Sequence, residues 1–413
     1  MGNSTKKLSV QANMIYNTVG SVIYLGCQWL INIMVVRFGS YDAAGMLSLA
    51  MSVTNMFFTV STFGMRAFHV SDIDNKYSEA LYVRTRILTC SLAFVICTVF
   101  TLFNPYDTAQ TLCIIIYMLF KLTEAMVDVF QGIQQKKSRM DYICVSFVIR
   151  GVLSLAAFTL VLNYTKNLVL AITAVAVSTA LTVVVYDFLI CKKLTNLKEH
   201  VNTKRCFEVL KECYPLMFNS MFTAGLISVP RYFLEQIDGT EMLGYYGSVA
   251  TPTVIVQTAC TFIYNPLISS FSESIKDKDK TRFKKIMAAV AGLFALLITA
   301  SIIGGKLLGE WGLKLLYTET ILPYVYLFIP IMIVTIMLAM IYFLSMLMTI
   351  LRKIKLMAVL NGIALLLDAV ISPFFIKRFS LDGINYALYI VLGIDIIMLV
   401  ISLIKYTRKI FNS

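Results

Sequence analysis

Residues 322–350 read LPYVYLFIPIMIVTIMLAMIYFLSMLMTI, a run of 29 positions without one charged side chain. A helix needs about 20 apolar residues to cross a hydrocarbon core about 30 Å thick. The run exceeds that length, so the solvent it is suited to is lipid. Outward from it, apolar segments recur near residues 286–305, 244–271 and 213–234 on one side and 355–376 and 382–404 on the other. Six more lie near 14–36, 43–65, 87–104, 110–131, 141–162 and 168–190. Composition agrees: 58% of the 413 residues are hydrophobic and the mean hydropathy is +0.78. Only 14% are charged, against about a quarter in soluble domains. The reading is an all-α integral membrane protein with about twelve transmembrane helices.

Basic residues orient it, because cytoplasmic loops retain Lys and Arg during insertion. Of the 36, 27 fall at the termini or in the connections after even-numbered spans, four of them after the second span. Arg37, Lys166, Lys306, Lys314, Lys377 and Arg378 lie on the other side, and Lys121, Arg150 and Arg231 lie within spans. Both termini are therefore expected in the cytoplasm. A polar stretch over 191–212, with Lys192, Lys193, Lys198, Lys204, Arg205 and Lys211, separates an N-terminal six-helix bundle (1–190) from a C-terminal one (213–413). Parallel repeats about an axis along the membrane normal would give this division; one twelve-helix bundle without internal symmetry is the alternative. The net charge of +13 is scattered over many loops instead of forming one face, which argues against nucleic acid as a partner.

An ionisable group at mid-bilayer costs roughly 2.5–3.5 kcal/mol even on insertion scales, so it faces protein or water. In the fourth span Tyr117, Lys121, Glu124, Asp128, Gln131 and Gln135 are spaced 4, 3, 4, 3 and 4 apart, a single stripe of a helix. The stripe borders a wet cavity, or else Lys121 and Glu124 neutralise each other and join helices. Asn13, Asn17, Ser21, Tyr24, Gln28 and Asn32 form an uncharged stripe on the first span, which lines the same path or packs helices. Arg150 has no acid three or four positions away on its own helix; its partner is a carboxylate of the fourth span or a substrate phosphate. Arg66 lies near the cytoplasmic end of the second span, where snorkelling is an alternative. Arg231 and Glu235 are placed to pair at i, i+4. Asp368 and Asp395 are isolated carboxylates within the last two spans, candidates for proton or cation binding or for structural hydrogen bonds. Pro215 and Pro230 bracket the seventh span, and Pro252 and Pro266 interrupt the eighth.

Enzymatic signatures are absent. His69 and His200 lie away from mid-membrane, and Gly304-Gly305-Lys306 lacks the flanking residues of a phosphate-binding loop. The nine cysteines show no metal-like spacing. No catalytic residue, metal or cofactor is assigned.

The segment Gly64-Met65-Arg66-Ala67-Phe68-His69-Val70-Ser71-Asp72, together with Arg37-Phe38-Gly39 and Pro230-Arg231-Tyr232 before Glu235 and Gly239, resembles Wzx-type polysaccharide flippases. These belong to the superfamily of multidrug, oligosaccharidyl-lipid and polysaccharide exporters. The resemblance implies a bacterial inner-membrane protein with two six-helix bundles around a central cavity. Its substrate would be an undecaprenyl-pyrophosphate-linked oligosaccharide repeat unit for O-antigen, capsule or another surface polysaccharide. Arg66, Lys121, Arg150 and Arg231, with Tyr24 and Gln28, would bind that substrate while its tail stays in membrane lipid. Glu124, Asp128, Asp368 or Asp395 would exchange H+ or Na+ during alternating access, and a polysaccharide polymerase would be a partner. The alternatives are a multidrug or metabolite antiporter of the same superfamily and a membrane enzyme of polysaccharide assembly.

Overall fold

The computed structural model describes residues 7–72, 75–197, 199, 202–264, 267–317 and 319–411. Lys6, Lys198, His200 and Pro266 lie outside them. Among the described residues the regular structure is helical throughout, with no strand. The chain forms two compact units, residues 1–224 and 225–413.

The first unit comprises α1 (Val10–Phe38), α2 (Tyr41–Thr62), α3 (Met65–Ser71), α4 (Glu79–Phe103), α5 (Thr108–Lys136), α6 (Met140–Thr165), α7 (Leu168–Thr182) and α8 (Leu189–Leu194), and takes in the start of α9 (Thr203–Asp238). A π-helical turn, Val183–Phe188, joins α7 to α8. Local chemistry sets the helix starts: Ser9 and Ser40 cap α1 and α2, and Asp107 with Gln110 forms a reciprocal capping box on α5. The second unit holds α10 (Thr240–Ala250), α11 (Val254–Tyr264), α12 (Leu267–Lys276), α13 (Lys280–Leu316), α14 (Phe328–Ile350), α15 (Ile354–Phe379) and α16 (Leu381–Phe411). Buried residues of α14, among them Val334, Ile336, Ile341 and Leu347, lie at the heart of its apolar core.

The helices are turned inside out relative to a soluble protein. On α4, Ile87, Leu92, Val95, Val99 and Phe103 are exposed, while Thr85, Arg86, Thr89, Cys90 and Ala93 are buried. On α15, Val359, Leu366, Val370 and Phe374 are exposed and Asn361, Asp368 and Ser372 buried. Apolar outside with small and polar inside is the pattern of helices packed in lipid. Nine helices among the described residues are long and apolar enough to cross a membrane. The remaining expected spans coincide with the charged α5, with α9, and with the interrupted α10–α12.

Several boundaries differ from the sequence expectation. The stretch 322–350 begins in a 3-10 segment, Glu319–Leu327, before α14. Pro215 and Pro230 do not bound a helix: α9 runs through both and begins ten residues earlier than expected, at Thr203. Membrane helices tolerate proline where neighbours satisfy the freed backbone groups. At Pro252 the chain does break, into a 3-10 turn, Thr251–Thr253. Arg86, assigned to a loop by sequence, is an interior residue of α4 and 0% exposed.

Candidate functional site

Phe63 (φ 54°) and Gly64 (φ 62°) both adopt left-handed backbone, ending α2 and restarting the chain as α3. Gly64 is required twice over, since a Cβ there would lie 2.7 Å from Leu216 Cβ. The break directs Arg66 onto the polar stripe of α5. Arg66 donates from Nη1 to Gln131 Oε1 at 2.8 Å and from Nη2 to Gln135 Oε1 at 3.0 Å. Its Nη1 lies 3.5 Å from Asp128 Oδ1, and the other oxygen of Asp128 accepts from Arg86 Nη2 at 2.7 Å. Arg86 also donates to the Ser61 carbonyl at 2.6 Å. One carboxylate thus serves two guanidiniums, leaving this level of the stripe with one positive charge in excess.

Further along α5, Glu124 is ion-paired with Arg150, which is 1% exposed and packs over Tyr24 (4.9 Å) and Phe147 (5.3 Å). Glu124 also faces the Tyr24 hydroxyl. A carboxylate of the fourth span, one of the two partners expected for Arg150, is in contact with it. Because Arg150 occupies Glu124, Lys121 does not pair with it: among the described residues no carboxylate lies within ion-pair distance of Lys121, whose Nζ sits 5.2 Å from the Phe58 ring and 5.6 Å from the Tyr117 ring. Such contacts stabilise a cation without neutralising it. Gln28 donates to Ser154 Oγ at 3.2 Å, a link from α1 to α6, and Asn13 accepts from the Met140 amide at 2.9 Å. These members of the uncharged stripe pack helices.

At the end of α5 that sequence assigns to the cytoplasm, His69 meets Glu79, stacks 4.1 Å from the Tyr82 ring and abuts Gly132, and Lys136 Nζ lies 3.5 Å from Glu79. The loop before α4 is tied by Asp72, which accepts from the amides of Lys76 (2.9 Å) and Tyr77 (3.1 Å). Partial burial pushes the Asp72 carboxyl up, yet those amides hold it below its ordinary value. Glu212 on α9 accepts from Lys76 Nζ (2.6 Å) and Tyr77 Oη (3.0 Å), and the Lys76 contact lowers its carboxyl in turn.

In the second unit the expected Arg231–Glu235 pair does not form. Glu235 accepts from Gln236 Nε2 at 2.7 Å, and Arg231 faces the Tyr246 phenol, which donates to Asn385 Oδ1 at 3.0 Å. Asp368 accepts from Ser372 Oγ at 2.6 Å, and both oxygens of the buried Asp395 have no hydrogen-bond partner among the described residues.

Arg66, Lys121, Glu124, Asp128 and Arg150 are therefore gathered along α5 with Tyr24, whereas Arg231, Asp368 and Asp395 belong to the other unit. Sequence reasoning missed Arg86 and Asp187. The signal for Arg86 was available in the stripe Thr85, Arg86, Thr89, Cys90, Ala93 and Cys97, spaced as one helix face. Asp187 is the lone acid near the end of a long apolar run.

Solved structures of membrane transport proteins share this all-helical fold. The fold is similar to that of the lipid II flippase MurJ in its inward closed conformation (TM-score 0.74, 12% identity, 96% of this chain and 90% of that one). It is also similar to a multidrug resistance MATE family transporter of the MOP superfamily in its inward-facing conformation (TM-score 0.68, 11% identity, 98% of each chain). Residues 10–274 match the model of the polysaccharide biosynthesis protein family, and the chain belongs to that family. The capsular polysaccharide biosynthesis protein CapF of Staphylococcus aureus is 27% identical over 310 residues, covering 74% of this chain and 76% of CapF.

Proposed function

We propose that the chain is a flippase that moves undecaprenyl-pyrophosphate-linked oligosaccharide repeat units across a bacterial cytoplasmic membrane for surface polysaccharide synthesis. The observation that carries this reading is the cation excess on one face of α5: Arg66 and Arg86 share Asp128, and Lys121 has no ion pair. A diphosphate headgroup supplies the missing anion, forming charge-assisted hydrogen bonds while its lipid tail stays in the bilayer. Arg66, held by two glutamine oxygens and partly exposed, receives the headgroup, and Lys121 two turns deeper follows it. Arg150, spent on Glu124, positions that carboxylate, and Tyr24 packs beneath it. Family membership and the name of the Staphylococcus aureus relative support a polysaccharide cargo, and the likeness to MurJ supports a lipid-linked one.

Transport proceeds by alternating access with both termini cytoplasmic. Asp368 and Asp395, buried in the C-terminal unit with unsatisfied oxygens, are its candidates for binding H+ or Na+. A cation-selective antiporter fits less well, because on the polar face of α5 the groups without full compensation, Arg66 and Lys121, are cations. In a strain lacking the chromosomal copy, wild-type protein restores surface polysaccharide, and Lys121→Ala at matched membrane levels does not. Full display with Lys121→Ala removes Lys121 from the substrate path, and lipid-linked oligosaccharide flipping normally in the deletion strain removes the function.

A further inference from the structure

Beside the α5 spine lies a charged group that headgroup binding does not use. Asp187 sits in the π turn Val183–Phe188, and such single turns insert an extra residue that re-aims a side chain. It is 0% exposed; Oδ2 accepts from Ser146 Oγ at 3.0 Å, and Oδ1 has no hydrogen-bond partner. Ser146 Oγ accepts from Arg150 Nε at 3.2 Å, so a hydroxyl stands between the guanidinium and this carboxylate. Arg150, paired with Glu124 through Nη1, leaves Nη2 without a partner. Two carboxylates therefore compete for one buried guanidinium, and each side of the Ser146 relay retains an unused atom.

Other groups around Asp187 do not settle its charge. From α5 comes Glu124; from α6, Arg150 and Ser146; from its own turn, Tyr186; and from α8, Cys191, which accepts from Gln134 Nε2, while Tyr24 of α1 and Lys121 lie on the Glu124 side. Among the described residues Arg150 is the one cation bonded to this group of side chains, which with both acids ionised holds one uncompensated negative charge, a costly arrangement away from water.

We infer that Asp187, Ser146, Arg150 and Glu124 form a one-proton site in the N-terminal unit, with Arg150 as its exchangeable cation. A proton taken from water onto Asp187 Oδ1 neutralises Asp187 and leaves Arg150 with Glu124, as in this structure, so that Lys121 stays free for an anion. Release of that proton to water restores the Asp187 carboxylate and draws Arg150 across Ser146. Glu124 is then free to pair with Lys121 three residues away, which displaces the anion. Proton binding and anion binding at Lys121 thereby favour each other, as linkage requires of two coupled sites. The link to anion binding rests on the flippase reading; the proton site does not.

The test uses full-length protein in nanodiscs and reads two quantities. Infrared difference spectra across a pH titration should show a protonated-carboxyl component that Asp187→Asn lacks and Asp368→Asn keeps. Undecaprenyl pyrophosphate should bind the wild type more tightly as pH falls, by up to about tenfold per pH unit for one proton. Asp187→Asn should bind with the low-pH affinity throughout and lose that part of the dependence. Unchanged spectra and an unchanged binding profile in Asp187→Asn overturn the proposal. Should Asp187→Asn fail to fold, Ser146→Ala decides: removal of the relay must move the carboxyl component to a different pH, and an unmoved one overturns the proposal. A wild type that shows the Asp187 component but binds no undecaprenyl pyrophosphate upholds the proton site and defeats the flippase reading.

Discussion

Arg86 and Lys121 are both cations inside membrane helices, and their surroundings give them opposite tasks. Arg86 is fully buried against Asp128 and a backbone carbonyl, so Arg86→Met leaves Asp128 only its 3.5 Å contact with Arg66 and should cost about 1–3 kcal/mol, the penalty of losing a hydrogen-bonded partner of a charged group. Denaturant unfolding of purified protein checks this. Lys121 leaves no carboxylate behind when removed, so Lys121→Met should unfold within about 1 kcal/mol of wild type while transport falls. Sequence spacing placed Lys121, Glu124 and Asp128 on one face, because a helix stripe is a local property. It did not fix their partners: spacing leaves Arg150 between a fourth-span carboxylate and a substrate phosphate and gives Asp128 none, because Asp128 joins Arg86 and Glu124 joins Arg150 across 42 and 26 positions, distances that helix periodicity does not encode.

At the scale of elements, the α2–α3 break decides where Arg66 points. Gly64→Ala forces a Cβ onto Leu216 at a positive φ and should destabilise the protein by about 1–3 kcal/mol. Transport should fall as well although Arg66 is retained, and a transport assay at matched protein levels checks it. The loop before α4 carries a pH dependence of definite sign. Asp72 and Glu212 have folded-state carboxyls below their ordinary values, so the stability they give is present above the unfolded carboxylate range and is lost as pH falls through the lower folded values. Hydrogen exchange at the Lys76 and Tyr77 amides should therefore be protected near neutrality and lose that protection below about pH 4. Unchanged protection in acid would mean that these carboxylates do not hold the loop. The prolines of α9 show what sequence obscured at this scale. Pro252 breaks its helix, whereas Pro215 and Pro230 do not, and the difference lies in tertiary packing instead of the residue type.

For the whole molecule, the feature most legible in sequence was the solvent. Charge-free runs such as 322–350 dictated lipid-embedded helices, and the exposed aliphatic faces of α4 and α15 show that choice in three dimensions. The bias of basic residues makes a topological prediction: a reporter fused after Ser413 should be active only as a cytoplasmic reporter, and a periplasmic signal would reverse the orientation. The central claim is that the cation-rich face of α5 conducts an anionic headgroup across the bilayer. Leaflet transfer of a fluorescent undecaprenyl-pyrophosphate-linked oligosaccharide in proteoliposomes tests it most directly. Wild-type protein should move the lipid faster than empty vesicles, and Lys121→Ala should slow it about tenfold or more, equivalent to a loss of roughly 1.4 kcal/mol. Equal transfer by wild type and Lys121→Ala, or none above empty vesicles by the wild type, would contradict it.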